Sequence, residues 1–215
     1  MLADLDAQFT DYVRQWAGSI VPALSLDGRV VLSLTDDRND HFRLLERTQH
    51  RLSGGRLLLP SLVVYRGLVQ PNPRLHYSRS PIHEVELAST RKTDPTDPDY
   101  GHVQYVTVRM VQVDYRLVYY TQQFSDLTQF QEAWILRCGR EFSVFDYTVS
   151  GLAEPLRASV VYQTPESVRV GIDELHESGT IYEQSFPLSM DTSIVSAAID
   201  SWIITDPQLT TDMMQ

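Results

Sequence analysis

Residues 103–121, VQYVTVRMVQVDYRLVYYT, limit the folds open to this chain more than any other stretch. Valine, tyrosine and threonine dominate it, and their branched or flat side chains suit a pleated, half-buried surface. Its second half is apolar at odd and even positions alike, the pattern of a strand covered on both faces. The stretch is therefore expected at the centre of a sheet. Nineteen residues are long for one strand. A hairpin or bulge is expected near Gln112 to Asp114.

The flanking segments supply helices and further strands. Leu2, Leu5, Phe9, Val13 and Trp16 recur at helical spacing, with Asp4, Asp6 and Asp11 outside the stripe. Gly18 is expected to end that helix. Val30–Leu34 reads as a strand, and Thr35-Asp36-Asp37 offers N-cap chemistry for a helix whose inner face is Phe42, Leu45 and Gln49. Leu57–Tyr65 reads as a strand kinked at Pro60. Phe124-Ser125-Asp126 opens a helix with a stripe of Leu127, Phe130, Trp134 and Cys138, and Arg137 and Arg140 suit its negative C-terminal end. Strands are expected at Ala158–Tyr162, Val168–Ile172 and Thr180–Met190, with Ser178-Gly179 as a turn. Residues 192–204 are apolar and read as strand or helix, with Ser196-Ala197-Ala198 leaning towards helix. The fold class is α+β: a mostly antiparallel sheet packed by about three helices, with a long Pro-rich extended arm. Residues 1–215 read as a single domain, with 205–215 as a flexible tail.

The arm is residues 67–102. Pro71, Pro73, Pro81, Pro95 and Pro98 punctuate it, and only Ile82–Leu87 alternates as a strand would. A structureless excursion of this length inside a compact domain is uncommon and usually functional or disordered. It carries Arg74, Arg79, Arg91 and Lys92, with Arg66 beside it, so Arg66, Arg74, Arg79 and Arg91 are the candidate interface residues.

Charge changes sign along the chain. Residues 38–92 hold ten bases and four acids, whereas residues 150–215 hold ten acids and two bases. The net charge of −10 argues against general binding to a nucleic-acid backbone. Seventeen of the 18 basic residues are Arg, which reflects either planar interface contacts or an Arg-favouring genome. The basic and acidic parts either meet across a subunit boundary, where head-to-tail contacts build rings, or pack within one monomer. No apolar run approaches the length of a membrane span. The acidic, amphipathic start MLADLDAQFTDYV lacks the form of a signal peptide, so a cytoplasm-like compartment is expected.

Catalytic motifs are missing from the sequence. There is no phosphate-binding GxxxxGK loop, no GxGxxG, no GxSxG and no HExxH. Cys138 is the one cysteine, which rules out an internal disulfide, and it reads as a small buried apolar residue. Two acidic clusters stand out. Asp36, Asp37, Asp40 and His41 could ligate a metal, but acids at a helix start are also favoured by its dipole. Asp94, Asp97, Asp99 and His102 lack the glycine and terminal glutamate of a calcium loop. No cofactor, metal or catalytic residue is assigned, and the chain is expected not to be an enzyme.

The order of pieces resembles the tail sheath stabiliser, or neck completion (tail terminator), family of contractile-tailed bacteriophages. The pieces are the Val30–Leu34 strand running into a helix with His41-Phe42, the Leu59-Pro60 strand ending in Tyr65, and the arm with Arg74 and Tyr77. After them come the strand through Asp114-Tyr115, the helix with Phe130, Trp134 and Ile135, the Arg169–Ile172 strand and the long strand Tyr182–Met190. The resemblance covers about residues 28–204. It implies a non-catalytic virion protein that forms a ring, hexameric in such families, at the head-proximal end of the tail. That ring would cap the sheath and tube and contact the head-side neck proteins. Implied partners are copies of itself, sheath, tube or tube-terminator proteins and neck or connector proteins, with no membrane and no sequence-specific nucleic acid. The implied location is the virion, assembled in the host cytoplasm. The acidic C-terminal third departs from the family pattern. Alternatives are another virion subunit, such as a tube terminator, head-completion or baseplate protein, and a metal-dependent hydrolase using Asp36–His41.

Overall fold

The computed structural model describes residues 2–53, 57–71, 82–86, 96, 102–138, 143–172, 180–195 and 202–205. Among them α1 (Leu2–Ile20) and a 3-10 turn (Pro22–Ser25) precede β1 (Val30–Ser33), α2 (Arg38–Ser53), β2 (Ser61–Pro71) and β3 (Ile82–Glu86). Then come β4 (His102–Thr121), α3 (Phe124–Ile135), β5 (Ser143–Tyr147) and β6 (Leu156–Tyr162). β7 (Arg169–Ile172), β8 (Thr180–Val195) and β9 (Trp202–Thr205) complete the set. The fold is α+β, with three helices on a mostly antiparallel sheet ordered β1-β2-β4-β8-β6-β5. Among the described strands only the β1–β2 pair is parallel.

β4 is the centre of this sheet and runs unbroken for 20 residues. The expected irregularity lies on its neighbour instead. The register of β2 shifts between Arg66 and Val69, opposite Tyr115 and Val113, so β2 carries the surplus residue. Gly67 sits in that bulge, where a Cβ would lie 3.3 Å from the Asp114 carbonyl oxygen. A residue without a side chain lets the two backbones approach.

Both neighbours of β4 come in two pieces. On one side β2 pairs with Val111–Tyr120 and β3 with Tyr105–Arg109. On the other, β8 pairs with Val108–Thr121 and β9 with His102–Tyr105. Ile82–Glu86 is thus a strand inside the expected arm, and Gly67–Pro71 belongs to β2. The rest of the arm and the Ser178-Gly179 turn lie outside the described residues.

Alternation along β4 sorts its side chains onto two faces. Val111, Val113, Tyr115, Leu117 and Tyr119 join the larger cluster, with Leu5, Phe9 and Val13 of α1 and Leu127, Phe130 and Trp134 of α3. Val118 and Tyr120 join the smaller cluster on the other face, under Leu45 of α2. The Phe130 ring stacks on Tyr119 at 4.8 Å and meets Phe186 edge-on at 4.9 Å. The Trp134 indole is fully buried, and its N–H donates to the Gln163 carbonyl at 2.8 Å. Truncating such a ring typically costs about 3–5 kcal/mol.

Several expectations are corrected. Gly18 does not end α1, which runs on to Ile20. Its role is close approach: a Cβ there would lie 2.8 Å from that of Ser25, so glycine lets the 3-10 turn fold back on the helix. Asp6 is not outside the stripe but 2% exposed. Of residues 192–204, read as strand or helix, 192–195 continue β8 and 202–204 lie in β9, whereas Ser196-Ala197-Ala198 lie outside the described residues. β5, Ser143–Tyr147, was not foreseen. Cys138 lies in a turn beyond α3, where its S–H donates to the Gln163 carbonyl at 3.2 Å. Arg137 does more than face the helix end: its guanidinium sits 4.5 Å over the Trp16 ring and donates to the Tyr12 and Tyr162 hydroxyls.

Candidate functional site

Four of the described arginines, Arg38, Arg66, Arg116 and Arg169, settle in two ionic centres, one on each face of the sheet. The first sits between α1 and the sheet. Arg66, the one interface candidate among the described residues, lies at the β2 bulge, and its Nη1 donates to the Asp6 carboxylate. The other Asp6 oxygen accepts from the Tyr115 hydroxyl at 2.7 Å. A carboxylate this deep requires such partners, because an unpaired buried charge is strongly unfavourable. Burial, with the Asp6 charge second, pushes the Tyr115 phenol far above its ordinary value, so it stays a donor. Arg74, Arg79 and Arg91 lie outside the described residues.

The second centre is a cleft where the start of α2 meets β4, β7 and β8. Arg116 of β4 holds Asp36 through hydrogen bonds of 2.7 and 2.8 Å and approaches Glu166 at 3.7 Å. Arg38, the first residue of α2, meets Glu183 of β8 at 2.8 Å, and Arg169 of β7 stands 3.9 Å from the same carboxylate. The Glu183 side chain is only 7% exposed. Gly171 makes the space: a Cβ there would lie 2.5 Å from an Arg38 guanidinium nitrogen. The cleft measures about 130 Å3 and is also lined by His41 and Tyr120.

His41 is fixed on both ring nitrogens. Its Nε2 lies 2.8 Å from the Thr35 carbonyl and its Nδ1 3.0 Å from the Tyr120 hydroxyl. A carbonyl only accepts, so Nε2 carries a proton, and Nδ1 shares a hydrogen bond with the Tyr120 hydroxyl. Burial, then the charge of Glu183, raises the Tyr120 phenol well above its ordinary value and keeps it protonated.

The sequence cluster Asp36, Asp37, Asp40 and His41 is thereby dispersed. Asp36 serves Arg116, Asp37 accepts from the Asn39 amide at 2.8 Å as a helix cap, and Asp40 stands 3.7 Å from Arg43. Among the described residues no three metal-ligating side chains converge. Burial raises the Cys138 thiol, which disfavours the nucleophilic thiolate. In the cleft acids and bases are matched to one another, a geometry that locks α2 onto three strands.

Charge asymmetry in the sequence is partly resolved here. Arg38 of the basic middle meets Glu183 of the acidic last third, and Arg66 meets Asp6 of the acidic start. Sequence reasoning missed Glu183 and Asp6 because their partners are far along the chain. The one local signal was Gly171 inside a strand, a mark of close approach. No protein-family model matches the chain, and no curated protein matches it.

Proposed function

We propose that this chain is a structural assembly subunit that joins copies of itself into a ring, hexameric at the head-proximal end of a contractile phage tail. There it would cap sheath and tube and meet the neck proteins. The observation that carries the reading is the first half of β4. Among the described strands, the backbone of His102–Thr107 is paired with β3 and β9 alone, and neither of these has a second partner. A strand edge with no such partner is a ready template for pairing with another chain. The order of strands and helices behind the family resemblance supports the same use. The ionic centres bind the described elements to each other, as a subunit under load in an assembly requires.

Size-exclusion chromatography with light scattering across protein concentration tests this. A concentration-dependent ring is expected, alone or on addition of sheath or tube protein. Reversing Arg74 and Arg79 to Glu should weaken assembly while the far-ultraviolet dichroism stays unchanged. A chain that stays monomeric and binds neither tail protein overturns the proposal.

A further inference from the structure

We infer that the cleft along the outer edge of β1 receives an extended acidic segment, residues 206–215, from a second copy of this chain. The inference rests on the self-assembly reading above and names one contact that would build it. Among the described strands β1 ends the sheet and pairs only with β2. Its outer backbone groups have no described strand to bond, which invites addition of an extended segment. α2 runs beside that edge. Asp40, Arg43, Leu44 and Arg47 fall at helical spacing on one side of it and, with Leu32 and Leu34, line a cleft of about 320 Å3. Leu34 is 62% exposed, far more than a core leucine. The Arg43 side chain is 72% exposed and has Asp40 at 3.7 Å, so two guanidiniums face one carboxylate. The cleft therefore suits a strand that is acidic and apolar by turns.

The chain itself contains such a segment. No Lys or Arg occurs after Arg169, and residues 206–215 read DPQLTTDMMQ, with two acids among leucine, methionine and threonine. Geometry decides whose segment it is. β9 ends at Thr205 opposite His102, whereas β1 lies beside the part of β2 that faces Arg116–Tyr119. The fourteen residue-to-residue steps of β4 from His102 to Arg116 span about 46 Å at 3.3 Å each. Ten residues reach at most about 33–36 Å when fully extended. β9 is also antiparallel to β4, so it runs away from β1 towards Thr205. Residues 206–215 are thus too short to reach the cleft of their own chain, but a neighbour's can fill it.

The test uses full-length chains in light scattering. Arg43→Glu with Arg47→Glu should weaken self-association at least tenfold, and so should Asp206→Arg with Asp212→Arg. All four substitutions together should restore it, because the charges are exchanged rather than lost. Circular dichroism checks that each variant is folded, and a labelled peptide of residues 205–215 probes the cleft directly. Its binding should fall at least tenfold with the two Glu substitutions. Association that survives either reversal, or is not recovered by the combination, overturns this contact while leaving the ring itself standing. A chain that never associates, yet binds the peptide through Arg43 and Arg47, overturns the ring and retains the cleft. A chain that neither associates nor binds the peptide overturns both.

Discussion

The Tyr115 hydroxyl donates to the Asp6 carboxylate at 2.7 Å, joining the first helix to the central strand across 109 residues of sequence. Arg66 completes the group from the β2 bulge. An aspartate that is 2% exposed is stable as an anion only while these partners remain.

Removing one member should therefore be worse than removing the pair. Arg66→Met is expected to cost about 3–5 kcal/mol, because it leaves the Asp6 charge buried with a phenol alone. Asp6→Leu with Arg66→Met should cost less than the single Arg66 change, since no charge is then left without a partner. Urea unfolding midpoints measure both. A cost below about 1 kcal/mol for Arg66→Met, the range of an exposed pair, would show that water already shields the carboxylate.

High pH offers a second test. Burial is the first cause of the raised phenol in Tyr115, Tyr119, Tyr120 and Tyr147 alike. In the unfolded chain these groups lose protons near pH 10. Their folded-state values are higher, so the folded chain holds protons that the unfolded chain has released. Stability from this source is complete below about pH 10 and is lost as pH rises beyond it, by up to about 1.4 kcal/mol per pH unit for each tyrosine. Denaturant titrations between neutral and strongly alkaline pH should show a flat region and then a steep fall. Phenolate absorbance from the buried rings should appear together with unfolding. Gradual ionisation of all the tyrosines in a chain that remains folded would contradict the burial assigned to them.

What the sequence made legible was local. The valine- and tyrosine-rich run of β4, the stripe Leu127, Phe130 and Trp134, and the Asp37 cap each rest on neighbours within a few residues, and the structure has all three. What it hid was pairing at a distance. Asp6 looks like a solvated acid on a helix, and only the sheet beneath it supplies Arg66 and Tyr115. Gly18 looks like a helix end, and only the return of Ser25 explains it. The extra residue near the middle of β4 was sensed from strand length but assigned to the wrong strand. A bulge is a mismatch between two strands, and one strand's sequence does not say which of them carries it. The cleft failed for the same reason: Asp36, Arg38, Glu166, Arg169 and Glu183 are gathered by strand order, not by spacing.

Gly171 gives the sharpest check on that cleft. Alanine is ordinarily the better strand residue, yet a Cβ at this point would lie 2.5 Å from the Arg38 guanidinium and push it off Glu183. Gly171→Ala should therefore mimic Arg38→Ala, each costing about 1–3 kcal/mol by leaving a buried carboxylate short of its nearest counter-charge. Arg169, at 3.9 Å, only partly replaces the lost charge. Once either change has displaced the guanidinium, the other has little left to remove, so the double variant should be hardly less stable than either single. Equilibrium unfolding of all four proteins closes the cycle. Costs that add to within about 0.3–0.5 kcal/mol would mean that the two residues act independently and that Gly171 has no part in seating Arg38.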